Sequence, residues 1–420
     1  CGMNQKLVQP LSNDQHIGMA GPDVMHLMRP GSLQLAALPP LSLYVHLPWC
    51  LRKCPYCDFN SHALSEAGLS PEQEQRYLQA LRDDLDASLP LIWGRTVHSV
   101  FVGGGTPSVF SPDAIAQLLS DIRARLRLSG DCEITLEANP GTFETNRFAA
   151  FAQAGITRLS IGVQTFNDDL LQRIGRVHSG DQAKRAAEEA ARCFDTFNLD
   201  VMYALPGQTL AMLQTDLQTA MAFEPPHVSV YHLTLEPNTV FATRPPTHLP
   251  DDDTAYDMLD AITACTSQAG LNRYEVSAYA KSGHECWHNL NYWTYGDYLG
   301  IGAGAHSKLS FAHRVVRQVR LRDPNLYMRM AAQGRALASS DEVKREDLAF
   351  EFMMNALRLR QGFERSWFTE RTGLPASAID GALRKAEAMG LMTSDWQRMA
   401  PTERGFDFLS DLQALFLPEA

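Results

Sequence analysis

Three cysteines that lie close together in the chain offer its clearest chemistry. Cys50, Cys54 and Cys57 form a C-x3-C-x2-C run. Three thiolates at this spacing can bind three irons of a [4Fe-4S] cluster and leave the fourth iron open. S-adenosylmethionine (SAM) can chelate that iron through its amino and carboxylate groups, and the electron-rich cluster can then cleave its carbon–sulfur bond. We therefore predict an iron–sulfur site with SAM as a second cofactor.

Structural zinc is the main alternative for these cysteines. Zinc usually takes four protein ligands, often from two C-x2-C pairs. The chain has no second pair, but His46 or His62 could supply a fourth ligand. Chance clustering is the remaining alternative. A disulfide scaffold is not favoured, because the other cysteines are scattered singly, so we expect a reducing compartment.

The elements that must position the cysteines alternate between strands and helices. Helix starts are signalled by Ser70 with Pro71 and Gln73, and by Ser111 with Pro112. Alternation of this kind predicts parallel βαβ units in an α/β fold, either an open (partial) TIM-type barrel of about six units or a doubly wound sheet. The predicted strands are Ser42–His46, Ser99–Val102, Glu133–Glu137, Arg158–Val163, Asn198–Tyr203 and Val228–Thr234.

Residues with chemical potential recur at the carboxyl ends of these strands, where chemistry gathers in both architectures. Cys50 follows the first strand and Gly103-Gly104-Gly105 follows the second. Glu137 ends the third strand, and Asp200 lies within the fifth. The glycine run alone is weak, because such a turn is often only a turn. It matches neither the Rossmann nor the P-loop pattern.

Composition narrows the class of protein. The 420 residues carry a net charge of -11, which gives no general attraction to nucleic acid or to anionic lipid. No apolar run reaches the roughly 20 residues that cross a bilayer, and the first 40 residues lack the order of a secretory signal. We expect a cytoplasmic protein without nucleic-acid partners and without stable membrane insertion.

Four regions are predicted along the chain. Residues 1–40 form an N-terminal extension, and 41–240 form the partial barrel that carries the cysteines. Residues 241–335 complete the barrel, and 336–420 form a small C-terminal domain that is helical or winged-helix-like. The stretch 341–420 has 14 acidic and 10 basic residues, so DNA binding by this domain is disfavoured. A packing or lid role is the simpler interpretation.

Several motifs then resemble one known family. The runs Leu43–Cys50 and Cys57–His62 are similar to those of the radical SAM family of oxygen-independent coproporphyrinogen III oxidases, and more closely to the heme chaperones that are paralogues of these oxidases. The resemblance covers roughly residues 40–415. Further matching runs are Glu137–Gly141, Gly162–Phe166, Arg176–His178, Asp200–Pro206 and His288–Trp293.

The resemblance implies a set of SAM contacts and one departure. Asp200 would accept from ribose hydroxyls, and Arg176 would bind a carboxylate. Position 204 is Ala where the family pattern suggests Gly, which matters only if the backbone there needs positive φ. The residues that the resemblance assigns to SAM are Tyr44, Tyr56, Gly104, Gly105, Thr106, Glu137, Gln164, Arg176 and Asp200.

Two functions from different classes compete within the family. An oxidase would convert propionates to vinyls with a SAM-derived radical, whereas a chaperone would bind heme and transfer it to a recipient protein. The oxidases carry an extra cysteine two residues after the third cluster cysteine, and Phe59 stands there. The run from His288 to Trp293 resembles the chaperones' H-N-x-x-Y-W motif. Both features favour the chaperone.

The chemistry of this motif makes His288 a candidate ligand of heme iron, with Tyr292 and Trp293 as flat apolar surface. Cys286 could serve instead, and His306 is a weaker candidate. A satisfied histidine beside core aromatics is the alternative. Heme-accepting respiratory proteins are the suspected recipients, and a homodimer is possible. The sequence leaves open the recipient, the axial ligand, the oligomeric state, whether SAM is cleaved or only bound, and whether residues 1–3 are native.

Overall fold

The strands of the protein form one large sheet and two small ones. The computed structural model describes residues 18, 19, 21, 24–65 and 68–418, so half of the predicted extension, residues 1–17, 20, 22 and 23, lies outside the described residues. In chain order the strands are β1 (Leu41–Leu47), β2 (Trp49–Cys50), β3 (His62–Ala63), β4 (Thr96–Gly104), β5 (Arg127–Ala138), β6 (Arg158–Gln164), β7 (Thr196–Tyr203), β8 (His227–His232), β9 (Asn272–Arg273), β10 (Ala278–Ala280), β11 (Asp297–Ile301), β12 (His306–Phe311), β13 (Arg314–Arg320), β14 (Leu337–Glu342), β15 (Phe363–Glu364), β16 (Met392–Ser394) and β17 (Arg398–Pro401).

Helices connect and cover these strands. None of the described helices is long and apolar enough to cross a bilayer. In chain order they are α1 (Val24–Leu27), α2 (Pro71–Ser88), α3 (Pro112–Arg125), α4 (Thr142–Thr145), α5 (Phe148–Ala154), α6 (Asp168–Arg173), α7 (Gly180–Cys193), α8 (Leu210–Met221), α9 (Val240–Thr243), α10 (Asp252–Gln268), α11 (Trp287–Trp293), α12 (Pro324–Ala331), α13 (Leu348–Ala356), α14 (Arg365–Thr372), α15 (Asp380–Ala388), α16 (Glu403–Asp407) and α17 (Leu409–Ala414).

The parallel core of the large sheet has the order β1-β4-β5-β6-β7-β8, and its strands are the six that the sequence predicts. The predicted caps are also present: Ser70 and Gln73 form a capping box on α2, and Ser111 caps α3. Most of the strand ends differ from the predicted ones: β5 begins six residues earlier, at Arg127, and β8 ends two residues earlier. β8 stops at His232, because the chain turns where the Glu236 amide donates to the Thr234 carbonyl.

The sheet continues beyond this core on both sides without closing. β11 pairs in parallel with β1, and β12, β13 and β14 follow in antiparallel order. On the other side β10 and β9 pair in antiparallel order beyond β8. The prediction of an open α/β barrel is confirmed. The antiparallel extensions were not predicted.

A buried ion pair connects the first helix of the core to the antiparallel extension. Arg320 of β13 lies 3.4 Å from the Asp84 carboxylate of α2, and both side chains are almost fully buried. The Tyr327 hydroxyl of α12 donates to the same carboxylate at 2.8 Å. The Gly302 amide donates to it at 3.4 Å. One acidic side chain therefore joins three elements that are far apart in the sequence.

The C-terminal region has an apolar core of its own. Its helices α13–α17 pack with a three-stranded antiparallel sheet of order β15-β17-β16, which agrees with a small winged-helix-like domain. Leu33 and Leu35, from the N-terminal segment, are buried in the same core. The predicted boundary at residue 336 stays a prediction. β14, which follows it, pairs with β13 in the large sheet.

Ala204, the departure from the family pattern, has φ of +58° and is buried just after β7. The backbone at position 204 therefore does need positive φ, and the alanine there is strained, because a Cβ is unfavourable in left-handed backbone. We expect Ala204→Gly to raise the free energy of unfolding by about 0.5–1 kcal/mol. The relief of strain is partly offset because glycine increases the conformational entropy of the unfolded chain. Urea unfolding of both proteins measures this, and a destabilised variant would contradict it.

Candidate cluster and cofactor site

The loop between β1 and α2 carries the three cysteines. β2 and β3 pair in parallel, which places Cys50 opposite Ala63 and fixes the base of the loop. Within the loop, the Cys57 amide donates to the Cys54 carbonyl at 3.2 Å, forming a turn. Burial and the neighbouring thiols raise the pKa of Cys50 to about 11. In the metal-free chain this cysteine therefore holds its proton at neutral pH.

Arg176 supplies positive charge beside this loop. Its guanidinium donates to Cys54 Sγ at 3.7 Å, to Asn139 Oδ1 at 2.7 Å and to the Gly162 carbonyl at 2.6 Å. Its Nε is buried and has no hydrogen-bond partner among the described residues. The structure thus places Arg176 against a cysteine, where it would stabilise a thiolate.

The donor set fits a cluster better than a zinc ion. His46, one proposed fourth zinc ligand, has both ring nitrogens engaged: Nδ1 with the Tyr44 hydroxyl at 3.0 Å and Nε2 with the Asn60 carbonyl at 2.9 Å. Within the described residues, no group of three or more His, Cys, Asp or Glu side chains is arranged to hold a single metal ion. Three thiols on one short loop beside Arg176 match the chemistry of a thiolate-ligated cluster.

The glycine run at the end of β4 is packed closely against the cysteine loop. A Cβ on Gly104 would lie 2.7 Å from the His46 ring, and one on Gly105 would lie 2.5 Å from the Trp49 carbonyl oxygen. The amides of Gly105 and Thr106 donate to the carbonyls of Leu47 and Trp49. These amides are therefore occupied, so any backbone contact that Gly105 and Thr106 make with a ligand would use carbonyl oxygens.

Two partly buried carboxylates, Glu137 and Asp200, lie near enough to influence each other at the ends of their strands. The Gly104 amide donates to Glu137 Oε2 at 3.1 Å. Asp200 accepts from Asn198 at 2.7 Å and from Ser160 at 3.3 Å. Burial and the nearby Asp200 raise the pKa of Glu137 to about 7. Paired buried carboxylates of this kind attract a cationic ligand.

The raised pKa of Glu137 predicts a pH-dependent stability of the metal-free chain. Because the folded state holds this proton more tightly than the unfolded state, stability falls as pH rises from about 4.5 to about 7. Between pH 5 and pH 8, Glu137→Gln should gain up to about 3 kcal/mol relative to the wild type. Urea unfolding at both pH values measures the difference, and an equal pH dependence in both proteins would contradict it.

A cavity of about 930 Å³ extends from the strand ends into the barrel, and we call it the lumen cavity. Of the residues predicted to bind SAM, Tyr56, Glu137, Gln164 and Asp200 line it. Gln164 does so from left-handed backbone, with φ of +69°. The other predicted residues, all within the described part of the chain, are not among its lining residues: they are Tyr44, Gly104, Gly105, Thr106 and Arg176.

Helix α11 divides its predicted heme motif between two faces. Cys286, Asn289 and Trp293 line the lumen cavity. His288, which is 1% exposed, instead stacks on Phe101 with ring centroids 4.9 Å apart. Ser99 contacts its Nδ1 at 3.1 Å, and its Nε2 has no partner among the described residues. Burial lowers the pKa of His288 to about 3, so the imidazole is neutral.

Sequence reasoning missed most of the polar residues inside the barrel. β6 directs Arg158 and Ser160 into the lumen cavity, and β7 directs Asn198 and Asp200. TIM-type barrels usually fill this space with apolar side chains. The missed signal was the alternation of polar residues at every second position within strands that are otherwise apolar. That pattern indicates a polar interior facing a ligand.

The parallel strands, with a three-cysteine loop and carboxylates at their carboxyl ends, define a radical SAM protein. The sequence profile of the Radical SAM superfamily matches residues 44–220. The profile of the HemN C-terminal domain matches residues 343–408. Membership of this superfamily implies a [4Fe-4S] cluster and SAM.

Full-length relatives identify the family more closely. The chain is 48% identical over 387 residues to the heme chaperone HemW of Escherichia coli (strain K12), covering 92% of this chain and 100% of the relative. It is 46% identical to the Haemophilus influenzae chaperone of the same name, with 91% and 99% covered. For the Bacillus subtilis chaperone the identity is 33%, with 90% and 99% covered. The chain belongs to the heme chaperone HemW family.

A solved structure shares the fold. Coproporphyrinogen III oxidase (HemN) from Escherichia coli superposes with a TM-score of 0.75 at 23% identity, and 90% of each chain is covered. The likeness confirms the partial barrel with its C-terminal domain. At this level of identity it shows the fold alone.

Proposed function

We propose that the protein is a radical SAM-type heme chaperone, which binds a [4Fe-4S] cluster, SAM and heme and transfers heme to a recipient protein. The observation that carries this proposal is the sequence identity of 48% to a heme chaperone, which covers 92% of this chain and 100% of the relative. Phe59 supports it, because an apolar ring lines the lumen cavity where the oxidases of this family have a further cysteine.

Cys50, Cys54 and Cys57 are the proposed cluster ligands. When bound, the cluster would supply an electron to SAM. The protein's own residues would hold SAM, and three of them line the lumen cavity: Asp200 would accept from the ribose hydroxyls, Glu137 would face a positively charged group, and Tyr56 would pack on the cluster side. The remaining proposed SAM contacts are Tyr44, Gly104, Gly105, Thr106, Gln164 and Arg176.

His288 remains the proposed heme ligand, with Cys286 as its competitor. Of the two ring nitrogens of His288, Nε2 is the one without a partner among the described residues, so iron would have to bind that nitrogen. Its ring is packed on Phe101, and α11 would have to shift for a porphyrin to reach it. Cys286 already lines the lumen cavity, although burial raises the pKa of its thiol to about 12.

Two variants separate these ligands. If His288 binds iron, His288→Ala should change the heme absorption spectrum and weaken binding by at least about tenfold, whereas Cys286→Ala should leave both unchanged. If Cys286 binds iron, Cys286→Ala should change the spectrum and weaken binding, and His288→Ala should leave both unchanged. An unaltered spectrum and affinity in His288→Ala would remove that residue as the ligand.

A paired assay tests the function itself. With SAM and a reductant, the reconstituted protein should form no vinyl product from coproporphyrinogen III. The same preparation should bind heme saturably and release it to an apo-hemoprotein. Robust vinyl formation would favour the oxidase, and unsaturable heme uptake would remove the chaperone.

Partners and compartment complete the proposal. We propose heme-accepting respiratory proteins as recipients and the cytoplasm as the site of action, with a homodimer as one possible assembly. Support for the compartment comes from the cysteines: the seven in the described residues are all free thiols. Size-exclusion chromatography with light scattering, before and after cluster reconstitution, tests the dimer.

A further inference from the structure

Two buried donors inside the lumen cavity have no acceptor in the part of the chain that the structure describes. Arg158, at the start of β6, is 2% exposed, and its second terminal nitrogen has no hydrogen-bond partner among the described residues. Thr135 of β5 is 1% exposed, and its hydroxyl is also without a partner there. A buried donor left unpaired costs about 1–3 kcal/mol, and more when it is charged. Both side chains line the lumen cavity, so a ligand could supply the missing acceptor.

The two donors are neighbours in the sheet. Thr135 and Arg158 are directly paired in the register of β5 and β6. Adjacent strands lie about 4.8 Å apart, so both side chains reach the same region of the lumen. Trp293 adds a third buried donor to the cavity, since its Nε1 has no partner among the described residues.

The other contacts of Arg158 use its first terminal nitrogen and leave the second one available to a ligand. Its first terminal nitrogen donates to the His284 carbonyl at 3.0 Å and lies 3.6 Å from Glu133 Oε2. Glu133 is itself shared, because its Oε1 accepts from the Cys286 thiol at 3.6 Å and from the His288 amide at 3.4 Å. Glu133 therefore balances part of the arginine's charge without contacting its second terminal nitrogen.

The charge pattern of the lumen cavity orients a ligand. Glu137 lies two residues beyond Thr135 in β5, and Asp200 is paired with Gly162, four residues beyond Arg158 in β6, so the carboxylates are nearer to the strand ends than Arg158 by about 7 and 13 Å. A cationic group is favoured at the strand ends and an anionic group at the opposite end. The second terminal nitrogen of Arg158 can donate a charge-assisted hydrogen bond to a carboxylate, and the Thr135 hydroxyl can donate a further one.

We propose that Arg158 and Thr135 form a carboxylate-binding subsite inside the barrel that receives a propionate of heme. This inference rests on the proposed function for the identity of the ligand. It adds the location and orientation of the tetrapyrrole: one propionate between Thr135 of β5 and the start of β6, and the macrocycle against α11.

Heme and heme dimethyl ester distinguish the subsite, because the ester lacks free carboxylates. The full chain, reconstituted anaerobically with iron and sulfide, is titrated with each compound by fluorescence quenching. The wild type should bind heme at least about tenfold more tightly than the ester, as expected for a charged hydrogen bond. Arg158→Gln should reduce this preference below about threefold, Thr135→Val should reduce it partly, and Arg158→Lys should retain an intermediate preference.

Arg127→Gln is the matched control, because Arg127 starts the neighbouring strand β5 but is exposed to solvent. It should keep the full preference for heme. Circular dichroism and thermal unfolding verify that each variant folds. If Arg158→Gln does not fold, Thr135→Val and Arg158→Lys still decide the matter.

The remaining outcomes separate the inference from the function on which it rests. A wild type that binds neither compound saturably overturns the proposed function. A wild type that binds both equally keeps the chaperone and overturns the subsite, as does a preference that survives in Arg158→Gln. If Arg158→Gln loses SAM affinity but keeps its preference for heme, the bound carboxylate belongs to SAM and the propionate assignment is wrong.

Discussion

Cys54→Ala should reduce the iron and sulfide bound after anaerobic reconstitution by at least about tenfold relative to the wild type. Two remaining thiolates cannot hold the three irons that this loop is proposed to ligate. Removal of Cys54 also deprives Arg176 of the sulfur that its guanidinium contacts at 3.7 Å. Colorimetric iron and sulfide analysis, together with the visible absorbance of the cluster, measures the loss.

Cys193→Ala is the control for that experiment. Cys193 ends α7, where its thiol contacts Glu189 at 3.3 Å, away from the cysteine loop. This variant should bind the full complement of iron and sulfide. A Cys54→Ala protein that retained the full complement would remove Cys54 as a ligand. Equal losses in both variants would point to a general effect of cysteine removal.

Asp84→Ala should lower the free energy of unfolding by about 3–5 kcal/mol, the effect expected when one partner of a buried ion pair is removed. Arg320 would be left charged inside the protein, with 1% of its side chain exposed. The Tyr327 hydroxyl would also lose its acceptor. Urea unfolding, with the apparent free energy taken from a two-state fit, measures the change.

The matched control lies on the same helix. Asp86 pairs with Arg125 at 2.6 Å, but its side chain is 48% exposed. Solvent screens such a pair, so Asp86→Ala should cost no more than about 1 kcal/mol. If both variants lost the same stability, the buried network around Asp84 would not be the connection that holds α2 to β13.

The parallel core could be predicted because its signals are local. β1 and β6 are apolar runs with turn residues on either side, and α2 begins at a capping box that involves only Ser70 and Gln73. The antiparallel strands β12 and β13 gave no such signal. They carry two buried cations: Lys308 pairs with Asp297 on the neighbouring strand β11, and Arg320 pairs with Asp84 from a distant part of the chain. Partners of this kind are set by tertiary structure, which local patterns do not report.

Only part of the candidate site could be predicted from the sequence, for a similar reason. The cysteine loop and Glu137 could be found from spacing and from their positions at strand ends. The lumen subsite could not, since a single arginine at the start of β6 resembles an ordinary surface residue until the strand's inward face is known. The motif also did not indicate which residues of α11 would line the cavity and which would pack on the other side. His288 and Trp293 are five residues apart, so they point to different sides of the helix.

The unclosed sheet has a mechanical consequence. In a closed barrel, strand number and shear fix the radius, and the interior cannot widen without breaking hydrogen bonds. Here the gap beyond β9 is bridged by the C-terminal region: Glu275 pairs with Leu359 in an isolated bridge, and its carboxylate lies 3.1 Å from Arg358. On this side the edge of the sheet is therefore held by contacts with the C-terminal region and not by the hydrogen bonds of a further strand. Breaking these contacts would leave the hydrogen bonds between the parallel strands in place.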